Sequence, residues 1–479
     1  MGIEGARVPP SPSMQGINNV LQIYNSLTRK KEPFTPIEGN NVRMYVCGNT
    51  VYDHSHLGHA STMVAFDVVA RYLRARGYDL TYVRNITDID DKIIRRAAEN
   101  GEPYAELTRR MIESMDEDAA ALGIQKPDEE PKATEFIDGM LDMISGLIEK
   151  GYAYAPGNGD VYYRVRKFEG YGKLSGKVIE ELESGARITV GEDKEDALDF
   201  VLWKGAKEGE PSWDSPWGKG RPGWHIECSA MCKHCLGDTF DIHGGGPDLP
   251  FPHHENEIAQ SEAANGAEFA RYWMHSGALR MGKEKMSKSL GNFFTVKQIL
   301  ENYPAEVVRY LLISSHYRSH TNYSEESLKE AGVRLERLYT SLKGLDVDDV
   351  KALENDDLEQ RFFKAMDDDF NTPEALAVLF DGVRRLNTER AVDEQSALPL
   401  AALLRKLGGI LGILQRDAET FLKSGSDVNE AWIEEMIQKR KDAKKARDFA
   451  ESDRIRDELA SQGVILQDSR EGTTWRIER

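Results

Sequence analysis

Over the first fifth of the chain, apolar positions alternate between strand-like and helix-like spacing. Arg43–Val51 is short, apolar and β-branched, which predicts a buried strand. Ala60–Arg76 carries Val64, Val68 and Tyr72, with Ala65, Val69 and Leu73 beside them, at helical spacing, and stops at Gly77. Asp79–Ile86 reads as strand again. A strand, helix and strand in about 45 residues make a βαβ unit, so the sheet is expected to be parallel.

Tyr152–Arg166 and Lys177–Val190 predict strands of a small insertion, set off by the loops Pro156–Asp160 and Gly191–Asp196. Asp238–His243 predicts another core strand, closed by Gly244, Gly245 and Gly246. From Pro304 to Leu414 the pattern is almost wholly helical. A charged helix over Asn429–Gln462 follows, then Val464–Gln467 and Thr473–Ile477 as a hairpin. The fold class expected is α/β: a Rossmann-like parallel-sheet domain with a small insertion, then an α-helical bundle and a small C-terminal α+β module.

Composition narrows this picture. With 40% hydrophobic and 30% charged residues the chain matches a soluble globular protein. No run approaches the ~20 apolar residues that span a bilayer, so no membrane association is expected, and a cytoplasmic location is. Residues 1–19 lack the apolar core of a signal peptide and are set aside as a disordered leader or expression remnant. A net charge of −19 argues against general polyanion binding but leaves room for a local basic surface. Lys439, Arg440, Lys441, Lys444, Lys445 and Arg447 are the candidate. The four cysteines, Cys47, Cys228, Cys232 and Cys235, are too few for a disulfide scaffold. Three of them crowd into eight residues, which suggests a metal.

His56-Leu57-Gly58-His59 falls at the turn from the first strand into the helix. Helix-start amides favour anions, Gly58 permits close approach of a base or ribose, and two imidazoles can donate to phosphate oxygens. More than 200 residues later, Lys285-Met286-Ser287-Lys288-Ser289 lies between Gly282 and Gly291. Lysines there act as mobile point charges on a departing phosphate. In these two motifs the sequence resembles the class I aminoacyl-tRNA synthetases, whose HIGH and KMSKS signatures match His56–His59 and Lys285–Ser289. Leu57 replaces the usual isoleucine, a volume-conserving change. The resemblance implies that His56, His59, Lys285 and Lys288 are catalytic. It also implies that His56, Gly58, His59, Gly244, Gly245 and Lys288 bind ATP, accompanied by Mg2+.

The metal set has two readings. Spacing alone favours a local knuckle of Cys228, Cys232, His234 and Cys235. The alternative combines Cys47, Cys228, and His253 with Glu257, which share a face if a helix starts after Pro252. The stretch Arg221–Gln260 resembles the cysteinyl branch of the family, and that resemblance implies one zinc on Cys47, Cys228, His253 and Glu257, with no role for Cys232 or Cys235. A metal favours a thiolate over a hydroxyl, whereas an apolar pocket discriminates by only ~1–3 kcal/mol. The substrate thiolate is therefore expected to join the zinc. The resemblance further places Thr50, Thr87 and Trp224 around the substrate L-cysteine and Asp248 near its amino group.

The likeness extends from about residue 21 to 479, includes Met366–Pro373 in the helical part, and closes on Gly472-Thr473-Thr474-Trp475. It implies the domains 20–145 with 221–275 (catalytic), 146–220 (connective peptide), 276–335 (KMSKS loop and stem contact), 336–425 (helical bundle) and 426–479 (anticodon binding). Phe449 is expected to stack on a base of tRNA(Cys), while Asp453, Arg456 and Asp468 hydrogen-bond base edges. A monomer is expected. The alternative weighed is a ligase that passes the same cysteinyl-adenylate to an amino-sugar and lacks the C-terminal module.

Overall fold

The computed structural model describes residues 19–179, 193–281, 284–285, 294–423, 430–468 and 472–477. The chain falls into two compact units. The first holds residues 1–296 together with 316–321 and 364–371, and the second holds 297–315, 322–363 and 372–479.

Strand β1 (Gln22–Asn25) pairs antiparallel with β2 (Lys30–Pro33). The first unit is centred on four parallel strands: β3 (Asn41–Val46), β4 (Asp79–Arg84), β9 (Phe240–Gly245) and β10 (Ala270–His275). Their order is β10-β9-β3-β4, with Tyr45 opposite Val83 on one side and His243 on the other. The chain leaves β3 toward β4 and later returns to β3's other edge as β9. This reversal opens a crevice at the carboxyl ends of the strands, where open α/β sheets bind ligands.

The predicted βαβ unit is present with shifted bounds. Helix α1 runs Leu57–Ala75, starting three residues before the apolar pattern, because His56 caps it. β3 stops at Val46, so Cys47–Val51 form the loop above the sheet and not more strand. Phe66, Val69 and Leu73 of α1 are buried. Helices α2 (Asp91–Asn100), α3 (Tyr104–Ala121) and α4 (Ile137–Glu149) follow β4.

The insertion is a four-stranded antiparallel sheet: β5 (Ala153–Tyr154), β6 (Val161–Tyr163), β7 (Phe200–Gly205) and β8 (Gly220–Pro222). Tyr152–Arg166 thus holds two strands, separated by a Gly-rich turn. Most of the expected strand Lys177–Val190 lies outside the described residues, and β6, paired with β5 on one side, takes its other neighbour, β7, from later in the chain. Trp203, Tyr163, Leu147 and Ile144 share one buried core with Tyr45 and Trp273. Helices α5 (Trp224–Leu236) and α6 (Glu255–Asn265) flank β9 in sequence. After β10 come β11 (Leu279–Met281) and β12 (Glu284–Lys285), paired antiparallel.

The second unit is helical from Ala305–Ile313 to Ala418–Lys423. Its end repeats the predicted order, but the charged helix is two helices, Glu430–Lys445 and Phe449–Ser461. Arg447 takes a left-handed φ of 60° between them, and Asp448 caps the second by accepting from the Glu451 N–H. The hairpin Val464–Asp468 with Thr473–Ile477 closes a small core of Ile433, Met436, Ile455, Leu459 and Trp475. Among the described residues no helix is long and apolar enough to cross a membrane.

Candidate active site and metal centre

The first phosphate motif forms the α1 N-terminus. His56 Nδ1 accepts from the backbone N–H groups of Gly58 (3.1 Å) and His59 (3.3 Å). The Leu57 N–H donates to the Phe294 carbonyl (3.2 Å). The helix-start amides that the sequence reading offers to phosphate are therefore already engaged. With Nδ1 an acceptor, His56 carries its proton on Nε2. That ring is stacked on His59 at 3.7 Å between centroids. The donors of this motif are thus its imidazoles. Gly58 is required locally as well, since a Cβ there would stand 2.9 Å from the His56 ring.

Residues just past the second motif join this turn. His56 bridges Thr295, and the Val296 N–H donates to the Ser55 carbonyl (2.9 Å). Lys285 ends β12, opposite Arg280. Lys288, with Gly282 and residues 286–293, lies outside the described residues.

Three segments converge on one buried cluster at the strand ends. Cys47 follows β3, Cys228 lies in the second turn of α5, and His253, two residues before α6, stands one helical turn from Glu257 in the first turn of α6. Placing Cys228 at a strand end would be wrong: Gly223 ends the extended chain and α5 starts at Trp224. Cys47 Sγ lies 3.6 Å from Cys228 Sγ, 3.5 Å from His253 Nε2 and 3.3 Å from Glu257 Oε1. His253 Nε2 is 2.9 Å from Glu257 Oε1. All four ligand atoms fall within 4.8 Å of one another. Tetrahedral bonds of ~2.0–2.3 Å space ligand atoms roughly 3.3–3.8 Å apart, so the set fits an ion such as zinc with little movement.

The surroundings fix these ligands. Glu257 Oε2 is held by His243 Nε2 at 2.7 Å, leaving Oε1 for the cluster. His243 is stacked on Trp273 at 4.4 Å. His253 Nδ1 meets His225 Nδ1 at 2.9 Å, and the His253 ring lies under Trp224 at 4.2 Å. A second grouping, Cys47, His243, His254 and Glu257, shares two ligands with the first. Its His243 is committed to Oε2 and so acts as an outer partner, while His254 bonds His275 Nε2 through Nδ1 (2.9 Å) and turns Nε2 toward Glu257 Oε1 at 3.9 Å. The hold of His243 on Glu257 escaped the sequence reading, because only tertiary contact brings the two together.

The electrostatics are those of a buried site that favours positive charge. Burial pushes the Glu257 carboxyl up, but His243 and His253 more than offset it and hold it well below the usual range. Burial depresses His253, yet Glu257 and Cys228 raise it to about 10. Burial raises Cys228, and the hydrogen bond from Cys47 with the nearby His253 brings it down to about 6. Cys47, the donor of that pair, is pushed up by burial and by Cys228.

The local knuckle does not form. Cys232 is buried in the core, Cys235 faces Glu129, and the His234 ring packs on Phe136 at 5.0 Å. Cys228, Cys232 and Cys235 share one face of α5 but are spread along it, the first and last roughly 10 Å apart along the axis, and His234 points off that face, so the four do not converge on one ion.

The expected substrate residues divide. Thr50 and Thr87 are bridged backbone to backbone, and Thr87 Oγ1 donates to the buried Glu227 (2.9 Å). Helix α2 is capped by Asp90. Trp224 is 37% exposed and lines a cavity of about 950 Å3 with His225, Glu227 and Phe251. Thr50 and Asp248 do not line it, and Asp248 is exposed. Gly244 and Gly245 are demanded by packing: a Cβ would meet the Phe66 ring at 2.3 Å and His254 at 2.7 Å. Of the three glycines, only Gly246 has no neighbour closer than 3.7 Å.

In the second unit Phe449 is 64% exposed, and Asp453 and Arg456 are exposed one and two turns along the same helix. Asp468 is exposed, and both its carboxylate oxygens are engaged by the protein. Arg440 donates to both its oxygens (2.9 Å each), Lys444 to one (2.9 Å), and the Thr473 hydroxyl to the other (2.7 Å).

Comparison with known proteins adds the following. Residues 33–333 match the family of tRNA synthetases class I (C) catalytic domain, and residues 361–415 match the DALR domain. The chain is 64% identical over 459 residues to the cysteine--tRNA ligase of Thioalkalivibrio sulfidiphilus, covering 95% of this chain and 100% of the relative. It is equally identical to that of Azotobacter vinelandii, covering 95% and 99%. Among solved structures it resembles Mycobacterium tuberculosis methionyl-tRNA synthetase in complex with methionyl-adenylate. That match has a TM-score of 0.54 at 16% identity, over 80% of this chain and 91% of the other, and is a likeness of fold.

Proposed function

Because the chain belongs to the cysteine--tRNA ligases of the class I aminoacyl-tRNA synthetases, we infer that it activates L-cysteine with ATP and transfers it to the 3′ end of tRNA(Cys). In the first step a carboxylate oxygen of cysteine bonds to the α-phosphorus, the bond to the bridging oxygen breaks, and pyrophosphate leaves. In the second, a 3′-terminal ribose hydroxyl takes the acyl group and AMP leaves. The amino-sugar alternative is not favoured, since the relatives match over 95% of the chain, C-terminal module included.

The observation that carries the choice of cysteine is the buried tetrad of Cys47, Cys228, His253 and Glu257. Zinc suits this mixed sulfur, nitrogen and oxygen set, and when bound it supplies a coordination position that a thiol fills as thiolate and a hydroxyl fills poorly. His243 and His225 orient the tetrad. Trp224, packed on His253, shapes the approach from the cavity, and Thr50, Thr87 and Asp248 orient the amino acid. His56 Nε2–H and His59 donate to phosphate oxygens as charge develops. Lys285 and Lys288 follow the departing pyrophosphate with Mg2+. Phe449 stacks on an anticodon base, flanked by Asp453 and Arg456. Asp468 holds the hairpin on which that surface rests.

Cysteine- and serine-dependent ATP–pyrophosphate exchange, joined to charging of a tRNA(Cys) transcript, tests the reading. Exchange with cysteine alone, followed by charging, is expected. Exchange without charging would overturn the transfer step, and equal exchange with serine would overturn the role of the tetrad.

A further inference from the structure

The motif Met366-Asp367-Asp368-Asp369-Phe370-Asn371 lies in a region the sequence makes helical, yet residues 364–371 pack into the first unit. Asp369 and Phe370 both adopt left-handed φ, 60° and 54°. Such a conformation is uncommon for a non-glycine residue and persists only where the surroundings over-determine it. Here they do. The Gln22 N–H donates to the Asp367 carbonyl (2.8 Å) and the Asp369 N–H to the Gln22 carbonyl (3.0 Å), so the motif pairs with the β1 strand. The Tyr72 hydroxyl of α1 donates to Asp367 (2.7 Å). Phe370 is fully buried, edge-on to Tyr72 and Tyr317.

This backbone presents Asp369, itself fully buried, to three donors. Its Oδ1 accepts from the Tyr24 N–H (2.9 Å) and the Tyr317 hydroxyl (2.8 Å), and its Oδ2 accepts from Arg318 Nε (2.6 Å). The Arg318 guanidinium also lies over the Tyr24 ring at 4.2 Å. Tyr317 and Arg318 belong to the segment 316–321, which is locked to the root of the β11–β12 hairpin. The Gly277 N–H donates to the Tyr317 carbonyl (2.7 Å) and the Thr321 N–H to the Ala278 carbonyl (3.2 Å). The fit at Gly277 is so close that a Cβ would stand 1.9 Å from the Ser319 carbonyl oxygen. One residue after Ala278 the chain enters β11, and β12 ends at Lys285.

We propose that Asp369 is a positioning residue for catalysis: through Tyr317 and Arg318 it fixes the root of the hairpin that carries Lys285 into the reaction. The site it serves is the one assigned above, and the inference rests on that reading. Asp369 touches no substrate. A buried carboxylate shared by a phenol, a guanidinium and a backbone amide holds two segments in one arrangement, and losing its charge leaves Arg318 without its partner. Sub-ångström drift at the root carries on to Lys285, and transition-state stabilisation is sensitive to such drift.

The test uses the full-length protein and three variants: Asp369→Asn, Arg318→Met, which approaches the pair from its more exposed side, and the double variant. Each single variant is expected to lower kcat for cysteine-dependent pyrophosphate exchange by about tenfold, with the KM for cysteine within twofold and zinc content unchanged. The double variant should be no slower than the worse single one, as for two ends of one interaction. Tryptic cleavage after Lys285 and Lys288 should quicken in all three. If both single variants exchange at the wild-type rate, or if their losses multiply in the double variant, the positioning role is overturned. A wild-type protein that does not exchange with cysteine would instead fault the functional reading itself, a distinct result.

Discussion

His56 combines two jobs in one ring. Its Nδ1 caps α1 through the Gly58 and His59 amides, and in the proposed reaction its Nε2–H donates to phosphate. A substitution can separate the two. His56→Asn offers an oxygen to the same amides and should keep the helix cap, holding Tm close to wild type while exchange falls at least 100-fold. His56→Ala should lose as much activity and, in addition, about 1 kcal/mol of stability from the missing cap. Thermal melts beside exchange assays check this, and equal Tm for the two variants would remove the capping role. The cysteines separate as cleanly. Cys228→Ser is expected to lose zinc, measured by elemental analysis, and with it the preference for cysteine over serine. Cys232→Ser, in the core beside the site, should retain both, because Cys232 sits one turn along α5 from Cys228 and is not among the four converging ligands.

At the scale of elements, the sheet and its first crossover were legible because they obey a period. β3, α1 and β4 read directly from alternating spacings, and the terminal hairpin came out with nearly its true bounds. What was illegible came from contacts distant in sequence. The pairing of β6 with β7 skips over 36 residues, and the motif 364–371 leaves a helical region to add itself to β1. The cysteine cluster shows the same limit: proximity in sequence favoured Cys228, Cys232 and Cys235, but a helix spaces these side chains out along one face while the sheet brings in Cys47 from 181 positions away. The close approach of strand ends that makes this possible is itself testable. A Cβ at Gly48 would stand 1.7 Å from the Asn85 carbonyl oxygen, forcing β3 and β4 apart just past Cys47. Gly48→Ala should cost about 1–3 kcal/mol of stability and drop zinc occupancy, whereas Gly151→Ala, with no atom within 4 Å but a φ of 78°, should cost stability without touching zinc.

For the molecule as a whole, the net charge of −19 sits oddly with an RNA substrate until one asks where the positive charge is committed. Of the basic run near the C-terminus, Arg440 is buried and fastened to Asp468, and Lys444 holds the same carboxylate, so both serve the fold of the module before they serve RNA. Asp468 is correspondingly held far below the ordinary carboxylate range by Arg440, Lys444 and Thr473. A carboxyl whose folded-state pKa is depressed gives stability that is complete above its unfolded value, near ~4, and lost as pH falls through the lower folded one. The side chain is 47% exposed, so screening limits the gain to about 0.5–1 kcal/mol. Asp468→Asn should therefore weaken hydrogen-exchange protection across residues 440–468 at pH 7, less so in high salt, and the difference from wild type should shrink progressively below pH 4. It should also slow tRNA charging without altering pyrophosphate exchange, because the hairpin supports the surface around Phe449 and takes no part in adenylate formation. A base-reading Asp468 would give a different pattern: weaker tRNA binding with unchanged protection. The two measurements on one variant decide whether this carboxylate faces the RNA or the protein.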